Sequence, residues 1–423
     1  MKDSARSQLI GMARRNIEVV KSGVLDRTQD VMRVPPTHYY DPDRSRLETD
    51  RVFKRLPLLL AMSGELKNPG DFKTMVVCGV PVLIVRDRSN EVRAFINSCS
   101  HRGAVIVTDR SGNRSRIACP YHAWTYDDLG DLVAVYKSEE FGDIDKSCHG
   151  LTPLMVGERA GLIWVSLDPA TTLDIDTFLC GYDDVLSLFS FGNWSLFDHR
   201  TIAGPNWKMA YDGYMDLYHL PTLHEDTFGA NMSNQALYHA WGPHQRVSSP
   251  NPGLLKLADQ PEEDGLTDVL MSSVWSIFPQ VSIASFDGGG RGVMISQFFP
   301  GDTPLESFTL QNYMMETLPT TDDMKAAANA QFKLLEYVVR EEDYATGVRY
   351  HSNMILRSDF EVMFGRNEGG AQRFHRFLDE LLACGDADLT ARFKRVGAEA
   401  QLDRDQPRSP CSLALFSADG PGL

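Results

Sequence analysis

The sequence predicts an α+β protein: a small antiparallel β domain, then a larger domain of helices packed on one antiparallel sheet. Three observations predict it. The 423 residues exceed what one hydrophobic core usually serves, so two domains are expected. Residues 71–168 run as short β segments broken by turn residues. Beyond "LDPATT" the apolar period changes, and helical and strand-like stretches alternate.

Taken in order, residues 1–45 form an N-terminal helical segment. Amphipathic periodicity runs through "MKDSARSQLIGMARRNIEVVKSGVLDR" and stops by Pro35 and Pro36. Residues 46–168 form the small β domain. Its runs "TMVVCGV", "PVLIVRD", "VRAFINS", "RIACPYH" and "GLIWVSLD" place branched and aromatic residues at alternating positions, with Gly, Asp and Asn between. Residues 169–423 form the larger domain, with helices expected over 176–190, 206–224, 322–351 and 370–398 and strands over 274–316. "GVMISQFFP" and "SFTLQNYMM" are expected to pair as a hairpin. "DGGGRG" at 287–292 lies between strands and opens no helix, so it is a turn and not a phosphate loop.

Composition narrows the function classes. An apolar fraction of 43% and a charged fraction of 23% describe a folded globular chain. The net charge of −15 argues against nucleic acid or an anionic membrane as partner. No apolar run is long enough to span a bilayer, and the first residues lack the apolar core of a secretion signal. Seven cysteines, an odd number with only two in a tight pattern, suit a reducing cytoplasm better than a disulfide scaffold.

Chemistry concentrates in two stretches. In "SCSHRGAVIVTDRSGNRSRIACPYHAWTY", Cys99 and His101 form one pair and Cys119 and His122 another, separated by seventeen residues. Zinc fingers pair Cys with Cys and His with His, whereas each pair here is mixed. Mixed pairs favour a 2Fe–2S cluster of Rieske type over zinc, one iron taking both thiolates and the other both imidazoles. In "GPNWKMAYDGYMDLYHLPTLHEDTFG", His219 and His224 lie five apart, with Asp216 one helical turn before His219. Pro221 should loosen the helix between the histidines and let them converge. Two histidines and a carboxylate on one face of iron(II) leave positions open for dioxygen and substrate. Asp216 could be that carboxylate, or it could bind an imidazole N–H from outside.

With "CSHRG", "CPYHAWTY", "NWK" and "DLYHLPTLH" in this order, the chain from about residue 40 resembles the large (α) subunit of the Rieske non-haem iron, aromatic-ring-hydroxylating oxygenases. The resemblance implies that Cys99, His101, Cys119 and His122 hold the 2Fe–2S cluster and that His219 and His224 bind a mononuclear iron(II). It makes Asp216 the bridge between that iron and a Rieske histidine of a neighbouring subunit. It places the third iron ligand at Asp343 in "VVREEDYATGVRYH", with Glu342 and Glu341 beside it. The family's usual glutamate and glutamine further on are Val348 and His351 here. Its asparagine near the iron is Asp212, either an extra carboxylate at the site or a solvated helix residue. Lys208 of "NWK" is expected to be structural.

The implied activity is that of a terminal oxygenase, fed with electrons by a reductase, directly or through a ferredoxin. It would use O2 to mono- or dihydroxylate a small apolar ring compound, with O- or N-demethylation as the alternative. A head-to-tail homotrimer, with or without a β subunit, goes with that reading. Phe228, Trp275 and Phe278, with Asp212, are candidates for the substrate pocket. A cluster-only electron-transfer protein is the competing class, and it leaves Asp216, His219 and His224 without a role.

Overall fold

Alternating burial along short strands closes the small β domain. Asp71–Val77 and Val80–Arg86 are joined through Cys78 and Gly79, whose φ values of 49° and 78° supply the left-handed pair a tight hairpin needs. Val92–Ile96, Pro153–Leu154 and Ser111–Asn113 complete a five-stranded antiparallel sheet. Ile117–Ala118, Thr125–Tyr126 and Leu132–Ala134 form a second, three-stranded sheet. A small core of its own, with Phe72, Leu83, Phe95, Trp124 and Tyr126, lies between them. Leu58–Met62 pairs with Leu162–Val165, and every residue of both strands is buried. Their side chains belong to the large core, so both ends of the 46–168 stretch are rooted in the larger domain.

The computed structural model describes residues 2–405 apart from 26, 231, 260–262 and 358; residues 406–423, the end of the expected larger domain, lie outside the described residues. That domain is built on a seven-stranded antiparallel sheet. Its spatial order is Ser195–Gly204, Ser307–Met315, Gly292–Pro300, Val281–Phe286, Val274–Ile277, His244–Ser248 and Leu237–Trp241. The expected hairpin is present, paired from Gly292↔Met315 to Pro300↔Ser307. "DGGGRG" turns the chain into it from Val281–Phe286.

Helices cover one sheet face. Phe298 packs edge-on against Tyr211 and Tyr214 of helix Trp207–Met215. Met294, Tyr313 and Met315 share a cluster with Phe332 and Leu335 of helix Asp322–Tyr337. From Gln280 and Gln297, side-chain amides donate to the Leu59 carbonyl at 3.3 and 2.5 Å, tying the sheet to the strand Leu58–Met62. The N-terminal helix Lys2–Ser22 is drawn into the same body. Ala5, Leu9, Met12 and Ala13 are buried in the large core, and Asn16 donates to the Ser249 carbonyl at 2.9 Å. Met32–Val34 then pairs with Val362–Phe364. None of the described helices is long and apolar enough to cross a membrane.

The expected helices differ in their interruptions. Residues 176–190 hold two five-residue helices, Ile175–Leu179 and Tyr182–Leu186, parted by Cys180 and Gly181 in the left-handed region. The 322–351 helix runs on to Leu356 but passes through a π-helical segment, Val338–Tyr344. The 370–398 stretch is two helices, Gly369–Ala383 and Leu389–Asp405, separated at Gly385.

Candidate metal centres

The two Cys/His loops are the same turn used twice. Cys99 accepts at its carbonyl from Gly103 N–H (2.8 Å) and donates its own N–H to the Ala104 carbonyl (2.8 Å). Cys119 does the same with Ala123 (2.9 Å) and Trp124 (2.8 Å). Gly103 and Ala123 close the turns at φ 74° and 55°. Both cysteines are buried while both histidines stay partly accessible. The imidazoles of His101 and His122 meet edge to face at 4.7 Å between centroids, and the Trp124 indole stacks on His101 at 4.8 Å.

Several groups tune this end of the molecule. Tyr126 O–H lies 3.2 Å from Cys99 Sγ and is fixed by Ser100 Oγ at 2.9 Å. Burial pushes the Cys99 thiol up, and the neighbouring Cys119 adds to it against the hydrogen bonds from Tyr126 and the His101 backbone. Desolvation, with His122 and Arg102 nearby, holds His101 below its ordinary value. His101 Nδ1 is buried without a hydrogen-bond partner. Two buried thiols facing two imidazoles, one with an orphaned nitrogen, fit a group that takes two S and two N donors.

The second centre forms where the 206–224 helix fails. Helix Trp207–Met215 ends at Asp216, which has extended backbone (φ −98°, ψ 119°). The Asp216 carboxylate accepts from Tyr218 N–H, a local turn that competes with the helix. His219 precedes the next helix, Leu220–Leu223, with Pro221 in its first turn, where a missing N–H costs little. The break therefore falls before His219 and not at Pro221, and Asp216 is a turn residue and not one helical turn away. Gly229 closes the chain back on His224: a Cβ there would lie 2.0 Å from the Leu220 carbonyl and 2.8 Å from His224 Cβ.

Each histidine has its two nitrogens assigned by the fold. His219 Nδ1 is 2.9 Å from Asp216 Oδ2, and His224 Nδ1 is 2.6 Å from Glu342 Oε2. Their Nε2 atoms both turn to Asp343 Oδ1, at 3.6 and 3.3 Å. Donor atoms of His219, His224 and Asp343 lie within 4.8 Å of one another. The π-helical segment carries both acids, which sit on one side of it: Asp343 faces the Nε2 atoms while Glu342 reaches His224 Nδ1. Burial lowers the basicity of His224, but Asp343 and Glu342 outweigh it and its pKa is raised. Two imidazole nitrogens, each ring's other nitrogen held by an outside carboxylate, and one carboxylate oxygen form a donor set suited to a divalent metal.

The remaining candidates are placed as follows. Glu341 is exposed. Asp212 is neither a solvated residue nor turned to the triad: it accepts from Tyr39 O–H at 3.0 Å and pairs with His375 Nε2 at 3.0 Å. Phe228 stacks on His224 at 4.8 Å but does not line the cavity beside the triad. Trp275 and Phe278 are corrections. Trp275 donates to the Leu270 carbonyl within the core, and Phe278 packs on Phe374 and Phe377, because the strand and turn that hold them face inward. Val348 is exposed, and His351 is buried with Nε2 accepting from Asn206 N–H at 3.3 Å. Lys208 is buried in an ion pair with Glu48, which Trp207 Nε1 and Arg44 also bind.

A cavity of about 240 Å³ opens beside His219 and Asp343. Tyr39, Tyr350, Phe364 and Glu368, none of them marked by any sequence pattern, line it together with Asp212 and Asp216. Glu342, expected only as a neighbour of the third ligand, is instead the partner of His224 Nδ1.

Residues 57–144 match the family model described as the Rieske [2Fe-2S] domain, and residues 191–384 match the ring hydroxylating alpha subunit (catalytic domain). The large subunit of anthranilate 1,2-dioxygenase from Acinetobacter baylyi is 32% identical over 202 residues, 46% of this chain and 43% of that protein. The match thus spans less than half of that relative's length. The oxygenase subunit of carnitine monooxygenase from Escherichia coli K12 is 26% identical over 84% of this chain and 94% of its own. In fold, the chain is similar to naphthalene 1,2-dioxygenase from Rhodococcus sp. bound to indole, with a TM-score of 0.69 at 18% identity, covering 88% of this chain and 98% of that one.

Proposed function

Because this chain belongs to the Rieske oxygenase large (α) subunits and carries both of their domains, we propose that it is the terminal component of an oxygenase acting on a small organic substrate. One observation carries the reading: both Nε2 atoms converge on Asp343 while each Nδ1 is tied to its own carboxylate. When bound, the 2Fe–2S cluster and the mononuclear iron(II) supply electron storage and dioxygen activation. Cys99, His101, Cys119 and His122 would hold the first, and His219, His224 and Asp343 the second.

The protein's own part is to prepare these donors. Asp216 and Glu342 accept the Nδ1 protons and leave the Nε2 lone pairs free. Tyr214 and Tyr344, lining the cavity, hold its wall rigid: Gln311 donates to Tyr214 O at 3.3 Å, and Tyr344 O–H meets Thr309 Oγ1 at 2.5 Å. The aromatic faces exclude water and suit a hydroxylated ring compound. The carboxylates beside them favour the second reading, dealkylation at a heteroatom, and the relatives' names include both an anthranilate dioxygenase and a carnitine monooxygenase. Electrons from a reductase with or without a ferredoxin, a closed head-to-tail trimer with or without a β subunit, and a cytoplasmic site complete the proposal. Purified protein should hold about three irons and two acid-labile sulfides per chain, and should consume oxygen only with a reductant and a substrate. Zinc without sulfide would overturn it.

A further inference from the structure

The cavity beside the triad is lopsided in charge. Four carboxylates reach it, those of Asp212, Asp216, Asp343 and Glu368, and no lysine or arginine lines it among the described residues. Two of the four have work elsewhere, Asp343 between the Nε2 atoms and Asp216 on His219 Nδ1. Asp212 and Glu368 hydrogen-bond to neither of those histidines. The hydrogen bonds they accept come from groups without a fixed positive charge. Tyr39 O–H and His375 Nε2 serve Asp212, and Gly365 N–H serves Glu368 at 2.6 Å. Lys208 lies 5.6 Å from the Tyr39 ring, but it does not line the cavity and its charge is matched by Glu48. The same walls present the rings of Tyr39, Tyr350 and Phe364. Carboxylates and aromatic faces share one preference, for positive charge on a weakly hydrated group.

Resting on the reading of this cavity as the substrate site, we propose that its substrate is a small organic cation. Its substituted ammonium group sits among Tyr39, Tyr350 and Phe364 within reach of the carboxylates of Asp212 and Glu368. A ring or alkyl chain on that cation extends toward His219 and Asp343. The volume, about 240 Å³, is below the roughly 300–1,000 Å³ of drug-sized sites, so the whole molecule is small. An anionic group is disfavoured beside Asp212 and Glu368, the two carboxylates away from the metal donors, where no side-chain cation lines the wall.

The test is calorimetric titration of the metal-loaded holoenzyme, oxidised and without oxygen. The probes are choline, its uncharged isostere with carbon in place of nitrogen, and the matching carboxylate. Choline is expected to bind at least about tenfold more tightly than the isostere, and the carboxylate not measurably. Glu368→Gln should shrink the choline-over-isostere preference about tenfold, with the cluster's visible spectrum reporting an intact fold; Tyr350→Leu, which leaves every carboxylate in place, should shrink it less. Equal affinity for choline and isostere, no binding of choline, or an unchanged preference in Glu368→Gln would overturn the proposal. Each of those outcomes in protein with full iron and sulfide content leaves the oxygenase reading standing. Absent iron or sulfide sinks that reading instead.

Discussion

Replacing Glu342 tests whether the second centre depends on its outer carboxylates. Glu342 Oε2 accepts from His224 Nδ1 at 2.6 Å and from Thr227 Oγ1 at 3.1 Å. The side chains of His224 and Glu342 are 2% and 12% exposed, so water screens the contact weakly. A hydrogen bond to a charged group is worth ~1.5–3 kcal/mol and a neutral one ~0.5–1.5. Glu342→Gln keeps the shape but loses the charge, a difference of about 1–1.5 kcal/mol, or roughly tenfold in iron(II) affinity. Glu342→Ala also leaves a buried N–H unpaired, which extends the loss toward about a hundredfold. Thr227→Val, which removes a hydroxyl shared between Glu342 and the His224 carbonyl but leaves the carboxylate in place, should cost less than either. The assay is chelator competition for the mononuclear iron, with the cluster's visible spectrum as the control for folding. Iron affinity unchanged in both Glu342 variants would refute the role assigned to that carboxylate.

Four further outcomes are expected. His219→Ala or His224→Ala should lose mononuclear iron and turnover while metal analysis and absorption still find the cluster, since Cys99 and Cys119 sit in the small domain's own core and Leu220, between the two histidines in sequence, belongs to a different cluster. Asp216→Asn should keep both metals yet slow cluster reoxidation in a single turnover by more than about tenfold, because an amide is the weaker acceptor for an imidazole N–H; a fall in iron content instead would make Asp216 a ligand. Tyr126→Phe removes an O–H 3.2 Å from Cys99 Sγ and should lower the cluster's reduction potential. One hydrogen bond's differential of about 1 kcal/mol corresponds to roughly 40 mV, readable by redox titration. Burial, with help from Asp216 and Asp212 and against the Gly365 N–H and His219, raises the Glu368 pKa to about 7. Asp343, Tyr39 and Tyr350 also line the space it faces. Its carboxylate gains charge as pH rises through that value, so choline affinity should climb across pH 7 in the native protein and stay flatter in Glu368→Gln.

What the sequence determined by itself was chemistry fixed by short spacing. Cys99 with His101, Cys119 with His122, and His219 with His224 are close in the chain, so their turns bring the donors together whatever surrounds them. The hairpin from Gly292 to Met315 was legible for the same reason, since its register follows from alternation and one turn. The tertiary structure decided everything that depends on distant segments. Glu342 became the partner of His224 because a π-helical segment packs across the 206–224 stretch, over a hundred residues away in sequence. Tyr39 and Glu368 entered one cavity because the N-terminal strand Met32–Val34 pairs with Val362–Phe364. Trp275 and Phe278, by contrast, were turned into the core by the sheet's register. A side chain's type is local, but which face it shows, and to whom, is set by the packing of surfaces the chain brings together only on folding.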